Sequence, residues 1–239
     1  MKRILIVDDH PVVREGLRGI LSREDGLDVC AVADCGATAV ALTADQAPDL
    51  ALVDISLPDR SGLDLIADLL KARSSMQVLV SSIHDEALFA ERALAEGAAG
   101  YVSKHEEAET LVEAVRTVLA GDIYLSPRMH QRLLRRAAGR AAPPTGNARL
   151  ATLTPRELEV FTLFGEGLSA RRIGERLGIS IKTVQAHREN IKEKLEIRSA
   201  SELLRSAFEY LFTQQAAPRS ASAPAPAPAA EGSEPRDEG

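Results

Sequence analysis

Two short apolar runs in this chain end in carboxylates. Ile4-Leu5-Ile6-Val7 leads into Asp8-Asp9, and Leu50-Ala51-Leu52-Val53 leads into Asp54. Runs this short, built from aliphatic and β-branched residues, read as buried parallel strands rather than helices. Their C-terminal ends then share the edge of an open α/β sheet where ligands bind. Three carboxylates gathered there repel one another unless a divalent cation joins them, and oxygen-only ligation suits Mg²⁺. One of them can then attack a phosphoryl group as a nucleophile.

Later residues sharpen this reading. Asp54 is followed by Ile55-Ser56-Leu57-Pro58 and then Gly62. Ser82 ends the run Val78-Leu79-Val80-Ser81, and Lys104 ends Gly100-Tyr101-Val102-Ser103. A lysine is a compact charge suited to phosphoryl oxygens, and a serine hydroxyl can donate to the same oxygens. Together these motifs resemble the receiver domain of two-component response regulators, over about residues 1–122. The resemblance implies that Asp54 accepts a phosphoryl group. It implies that Mg²⁺ is held by Asp8, Asp9, Asp54 and the backbone carbonyl of Ser56. It also makes Tyr101 the aromatic that swings inward when Ser82 moves to the phosphoryl group; from its strand position alone Tyr101 is an ordinary half-buried tyrosine. His10 and His84 lie near strand ends without a His/Cys cluster and read as loop residues.

The elements that must position these groups alternate along the first half. Strands are predicted at 3–8, 28–33, 50–54, 77–82 and 99–103, with helices near 11–22, 36–46, 62–73, 85–96 and 106–120. Such alternation predicts an α/β fold, a doubly wound five-stranded parallel sheet with helices on both faces. The flavodoxin-like strand order 2-1-3-4-5 is what the resemblance implies; periodicity alone does not yield it.

The second half changes character. Pro127 to Arg136 reads as a short basic helix, and the small-residue and proline stretch from 137 to 151 as a linker. Residues 152–214 read as about four helices. Thr154, Pro155 and Glu157 form a capping-box start. Ser169 starts a helix that Gly178 ends, and Ser180 caps a longer one over about 181–195. Two helices joined by a tight glycine turn are a helix-turn-helix. The segments Leu153-Thr154-Pro155-Arg156-Glu157, Gly167-Leu168-Ser169, Leu177-Gly178-Ile179-Ser180, Lys182-Thr183-Val184 and His187-Arg188-Glu189-Asn190-Ile191 resemble the LuxR-type DNA-binding domain. A receiver followed by this small all-α domain resembles the NarL/FixJ family. A recognition helix offers its N-terminal side chains to base edges, here Lys182, Thr183, Gln185, Ala186 and Glu189. Gln185 suits adenine and Ala186 a thymine methyl. Lys182, Thr183, Arg188 and Lys192, with Arg171 and Arg172 on the preceding helix, suit phosphates. Val184, Ile191 and Leu195 have core spacing. From Ala216 the chain is rich in Ala, Pro, Ser and Glu and is expected to be disordered.

Charge is distributed unevenly. The net charge of −6 combines −11 over residues 1–122, +5 over 123–148, +2 over 149–214 and −2 beyond. The acidic first half repels nucleic acid, so DNA contacts belong after residue 122. No apolar stretch is long enough to span a bilayer and no signal-peptide pattern opens the chain. Two cysteines, Cys30 and Cys35, make neither a disulfide framework nor a zinc site and fit a reducing cytosol.

The expected organisation is a receiver at 1–122, a linker with a short basic helix at 123–151, a LuxR-type domain at 152–214 and a tail at 215–239. The expected function is a cytoplasmic transcription regulator rather than an enzyme. A histidine kinase is expected to phosphorylate Asp54, and the phosphorylated chain to form a homodimer on double-stranded DNA, with no membrane partner. The resemblance assigns the dimer contact to the last helix, near Glu202 to Phe212. Two alternatives remain. A phosphorylation-independent DNA-binding regulator would use the acidic pocket structurally. An aspartyl-phosphate phosphatase would carry its nucleophile in an Asp-x-Asp pattern on the first strand, whereas here the aspartates are adjacent.

Overall fold

The computed structural model describes residues 1–138 and 149–216. The predicted linker in part and the predicted tail from 217 onward lie outside the described residues.

Five strands, β1 (Lys2–Val7), β2 (Leu27–Ala33), β3 (Leu50–Val53), β4 (Gln77–Ser82) and β5 (Gly100–Ser103), form one parallel sheet in the order β2-β1-β3-β4-β5. The order is the one the family resemblance implies. Five helices alternate with the strands: α1 (Pro11–Leu21), α2 (Gly36–Gln46), α3 (Gly62–Ala72), α4 (Glu86–Ala95) and α5 (Ala108–Leu119). Successive strand residues feed opposite faces, as the pleat requires. Ile4 and Ile6 of β1 pack with Leu111, Val115 and Val118 of α5 and Leu21 of α1. Leu5 and Val7 pack in the opposite layer, with Ala39 of α2, Leu65, Ile66 and Leu69 of α3, and Phe89 of α4. Every residue of β3 is buried, so its sequence carries no polar alternation.

Strands β1 and β3 each end one residue earlier than predicted, so Asp8 and Asp54 stand just past their strands. Lys104 likewise follows β5, whereas Ser82 closes β4. Register holds these groups level: Val7 pairs with Val53, and Val53 with Val80. Asp54 N–H donates to the Val7 carbonyl at 2.8 Å, and Lys104 N–H to the Ser82 carbonyl at 2.9 Å. Gly62 opens α3 where a Cβ would sit 2.0 Å from the Asp54 carbonyl oxygen, so only glycine permits this approach.

The basic helix is α6 (Pro127–Ala137), and it is docked rather than free within the expected linker. Met129 is buried, and Glu86 of α4 accepts from both the backbone N–H (2.9 Å) and the hydroxyl of its N-cap Ser126. A short 3₁₀ turn (Leu150–Thr152) then leads into α7 (Pro155–Gly165), α8 (Ala170–Leu177), α9 (Ile181–Leu195) and α10 (Ala200–Ala216). The capping box of Thr154 and Glu157 forms as predicted, Ser169 and Ser180 cap α8 and α9, and Gly178 ends α8 at φ 64°. Helix α10 begins before Glu202 and runs past 214, longer than expected at both ends.

Candidate functional site

The first strand edge gathers the predicted pocket. Lys104 Nζ donates to Asp8 Oδ2 at 2.6 Å and to Asp54 Oδ2 at 2.7 Å. Asp8 is 1% exposed and Asp54 4%, so this one ammonium is shared between two carboxylates shielded from water. Asp9 stands at the mouth, and one oxygen from each of Asp8, Asp9 and Asp54, with a ring nitrogen of His10, lies within 4.8 Å of the others. Asp9 Oδ1 is buried and has His10 Nδ1 2.6 Å away. The pocket therefore carries more negative than positive charge. Burial pushes the Asp54 carboxyl up to about 6 despite the opposing charge and hydrogen bond of Lys104. The same two aspartates hold the Lys104 ammonium above its usual range, although burial acts against it.

Ser82 and Tyr101 sit one layer deeper. Ser82 is fully buried, and its Oγ accepts from the His84 backbone N–H at 3.3 Å. Tyr101 is also fully buried, which corrects the half-buried expectation: its hydroxyl donates to the His84 carbonyl at 2.8 Å. Tyr101 shares a core layer with Val80, its register partner, and with Phe89 of α4. Burial raises the phenol's pKa, so it remains a donor.

His10 and His84 both lie in loops after their strands, as expected, and each makes a specific contact there. His10 Nδ1 comes within 2.6 Å of Asp9 Oδ1. His84 is buried; its Nε2 lies 2.9 Å from Ser56 Oγ, and its ring meets Phe89 at 5.3 Å between centroids. Burial, then the Lys104 charge, lowers its pKa to about 4, so the ring is neutral near pH 7. Only their position beside strand ends hints at these contacts; the partners of His84 are distant in sequence or on other elements.

The second site is the exposed face of α9. Val184, Ile191 and Leu195 point into the core as their spacing requires. Lys182, Thr183, Gln185 and Ala186 are exposed, and so is Asn190, which no spacing signal marks. Lys194 Nζ donates to the buried Glu157 carboxylate at 2.6 Å, tying α9 to the start of α7. That contact and the Lys194 charge draw the Glu157 carboxyl below its usual range, although burial alone would raise it. Glu189 pairs with Arg188 at 3.2 Å and with Lys192 at 2.8 Å. Two of the predicted phosphate contacts are thus internally compensated. Arg171 likewise pairs with Glu175 at 3.1 Å, while Arg172 stays exposed at the start of α8.

Comparison with known proteins agrees with this two-part geometry. Residues 4–116 match the family model described as response regulator receiver domain, and residues 151–207 match that of bacterial regulatory proteins, luxR family. The chain is 34% identical over 203 residues to the response regulator GacA of Pseudomonas aeruginosa, covering 85% of this chain and 94% of that one. A LuxR-family two-component response regulator from Aurantimonas superposes with a TM-score of 0.54 at 33% identity, covering 57% of this chain and 97% of that one. RcsB of Salmonella enterica serovar Typhimurium, solved on the rprA promoter with a phosphomimetic, shares the fold at a TM-score of 0.56 and 24% identity, over 87% of this chain and 98% of that one. A carboxylate-lysine pocket at the edge of a receiver sheet and a helix-turn-helix behind it are the two halves of one regulatory design, and the chain belongs to the NarL/FixJ family of LuxR-type two-component response regulators, which control transcription.

Proposed function

We propose that Asp54 takes a phosphoryl group from a partner histidine kinase and that this modification controls dimerisation and sequence-specific binding to double-stranded DNA. The observation that carries the reading is the meeting of Asp8, Asp54 and Lys104 at one strand edge. An Asp54 carboxylate oxygen attacks phosphorus, the P–O bond forms, and the P–N bond of the kinase phosphohistidine breaks. The electron pair goes to the imidazole nitrogen, which takes a proton from solvent. Lys104 is close enough to pair with a phosphoryl oxygen on Asp54, and the Ser82 hydroxyl at the end of β4 would donate to another.

Asp8, Asp9, Asp54 and the Ser56 carbonyl would hold Mg²⁺. The clustered carboxylate oxygens of Asp8, Asp9 and Asp54 fit a hard cation. When bound, Mg²⁺ screens the carboxylates and stabilises charge on the transferring group.

A route to the output domain supports the control. Tyr101 bonds the His84 carbonyl, the His84 ring touches Phe89, and the Arg92 guanidinium lies 5.5 Å from the Phe89 centroid. Arg92 then donates to the Leu153 carbonyl at 3.0 Å, directly before α7. Displacing Tyr101 or His84 therefore disturbs α4 where it meets the DNA-binding domain. We take residues 1–122 as receiver, 123–151 as linker, 152–214 as DNA-binding domain and 215–239 as tail. Lys182, Thr183, Gln185, Ala186, Arg188 and Lys192 of α9, with Arg171 and Arg172 of α8, are the proposed DNA contacts, and α10 the proposed dimer contact. Among the described residues no helix is long and apolar enough to cross a membrane, and we assign the regulator to the cytoplasm.

Incubation with a small-molecule phosphodonor and Mg²⁺ tests the site. The intact mass is expected to rise by one phosphoryl group in the wild type and in Ser82→Ala, more slowly in the latter, and to stay unchanged in Asp54→Asn. Phosphorylation that persists in Asp54→Asn removes Asp54 from its proposed role.

A further inference from the structure

Helix α6 carries Arg128, Arg132, Arg135 and Arg136 and no acidic residue. Arg136 pairs with Glu91 of α4. The other three are exposed, and among the described residues they have no carboxylate partner. At 3.6 residues per turn they fall in one narrow sector, beside the Met129 and Leu133 sector that packs on the receiver.

Helix stability does not account for this stripe. Arg128 and Arg132 are four residues apart, and Arg132 and Arg135 three, spacings at which like charges repel. The helix dipole favours Arg135 in the last turn but disfavours Arg128, the second helical residue. Packing does not account for it either, because all three side chains are exposed to solvent. A polyanion would offset the repulsion. The segment 123–148 carries +5, against +2 for residues 149–214 and −11 for the receiver. The most basic part of the chain is therefore not the helix-turn-helix but the segment leading into it. From Arg128 to Arg135 the helix rises about 10 Å. One DNA strand places a phosphate at roughly every 3.4 Å of its axis, so the stripe can follow two or three of them.

We propose that Arg128, Arg132 and Arg135 bind the phosphate backbone of duplex DNA, adding affinity to the α9 contacts without reading sequence. This rests on the DNA-binding reading above. The stripe would work as positioning contacts do, uniformly across sequences.

The test uses the full chain and a random-sequence duplex, with affinity measured over a salt series. In the triple variant Arg128→Gln, Arg132→Gln, Arg135→Gln, the slope of log K against log salt is expected to fall in magnitude by about 2 to 3, near 0.9 per lost contact. Glutamine keeps helix propensity and relieves the repulsion, so the thermal midpoint is expected to match or exceed that of the wild type. A folded triple variant with the wild-type slope overturns the proposal, whether or not it also loses binding to phosphatidylglycerol vesicles. A wild-type chain that shows no salt-dependent binding to duplex overturns both the proposal and the DNA-binding reading beneath it.

Discussion

Asp54→Asn is expected to stabilise the metal-free receiver, and the size of the gain follows from the pocket. Burial holds the Asp54 carboxyl at about 6, against an ordinary 3.8. The folded state therefore binds the proton more tightly than the unfolded chain. The stability from that proton is fully present below pH about 4 and is lost as pH rises through about 6. The difference between 3.8 and about 6 corresponds to roughly 3 kcal/mol. Asparagine resembles the neutral acid at every pH. The stability difference between Asp54→Asn and wild type should then grow by about 3 kcal/mol between about pH 4 and pH 7 and stay flat above that. Taking the difference removes the other titrating groups, which both proteins share. The chain contains no tryptophan, so urea unfolding in EDTA would be followed by far-UV circular dichroism, using the receiver transition. A difference that stays constant over this range, or shrinks as pH rises, refutes the claim that Asp54 is an ionised carboxylate held at a cost by its surroundings.

Three further outcomes follow from the same contacts. Lys104→Met leaves two buried carboxylates without their shared cation and should cost about 3–5 kcal/mol at neutral pH; a loss below about 1 kcal/mol in urea melts would mean the pair is solvated. Tyr101→Phe keeps the ring and deletes the bond to the His84 carbonyl, so it should cost about 1 kcal/mol and alter the response of DNA affinity to phosphorylation; a variant identical to wild type in both would exclude the route through His84. Glu189→Gln frees Arg188 and Lys192 for phosphates, and gel-shift titrations should show tighter, more salt-dependent binding to nonspecific duplex; weaker binding would instead make Glu189 a base contact.

Much of this fold is legible in the sequence because the informative signals are local. A four-residue β3 buried on both faces must be continuously apolar, and the abrupt change to Asp54 marks the sheet edge. Thr154, Ser169, Gly178 and Ser180 punctuate the helices through bonds spanning only a few residues. Pairings across many residues leave no such trace. Tyr101 reads as half-buried because a strand residue can face either layer, and the deciding contact is with His84. His84 itself reads as a loop residue because Ser56 and Phe89 reach it from other segments. Docking of α6 on α4 depends on Glu86 meeting Ser126, a match of two common polar residues that no periodicity signals. Helical spacing identifies the exposed face of α9, but pairing of Glu189 with both neighbouring cations depends on rotamers.

Phosphorylation at Asp54 as the control of DNA binding is tested most directly by recovery of sheared genomic DNA fragments on the full chain, with Mg²⁺ and beryllofluoride present or absent. A specific set of fragments is predicted to be enriched only when beryllofluoride occupies the pocket, with no such enrichment for Asp54→Asn. The same fragments recovered equally under both conditions would contradict this control and leave a DNA-binding regulator whose acidic pocket does not govern its output.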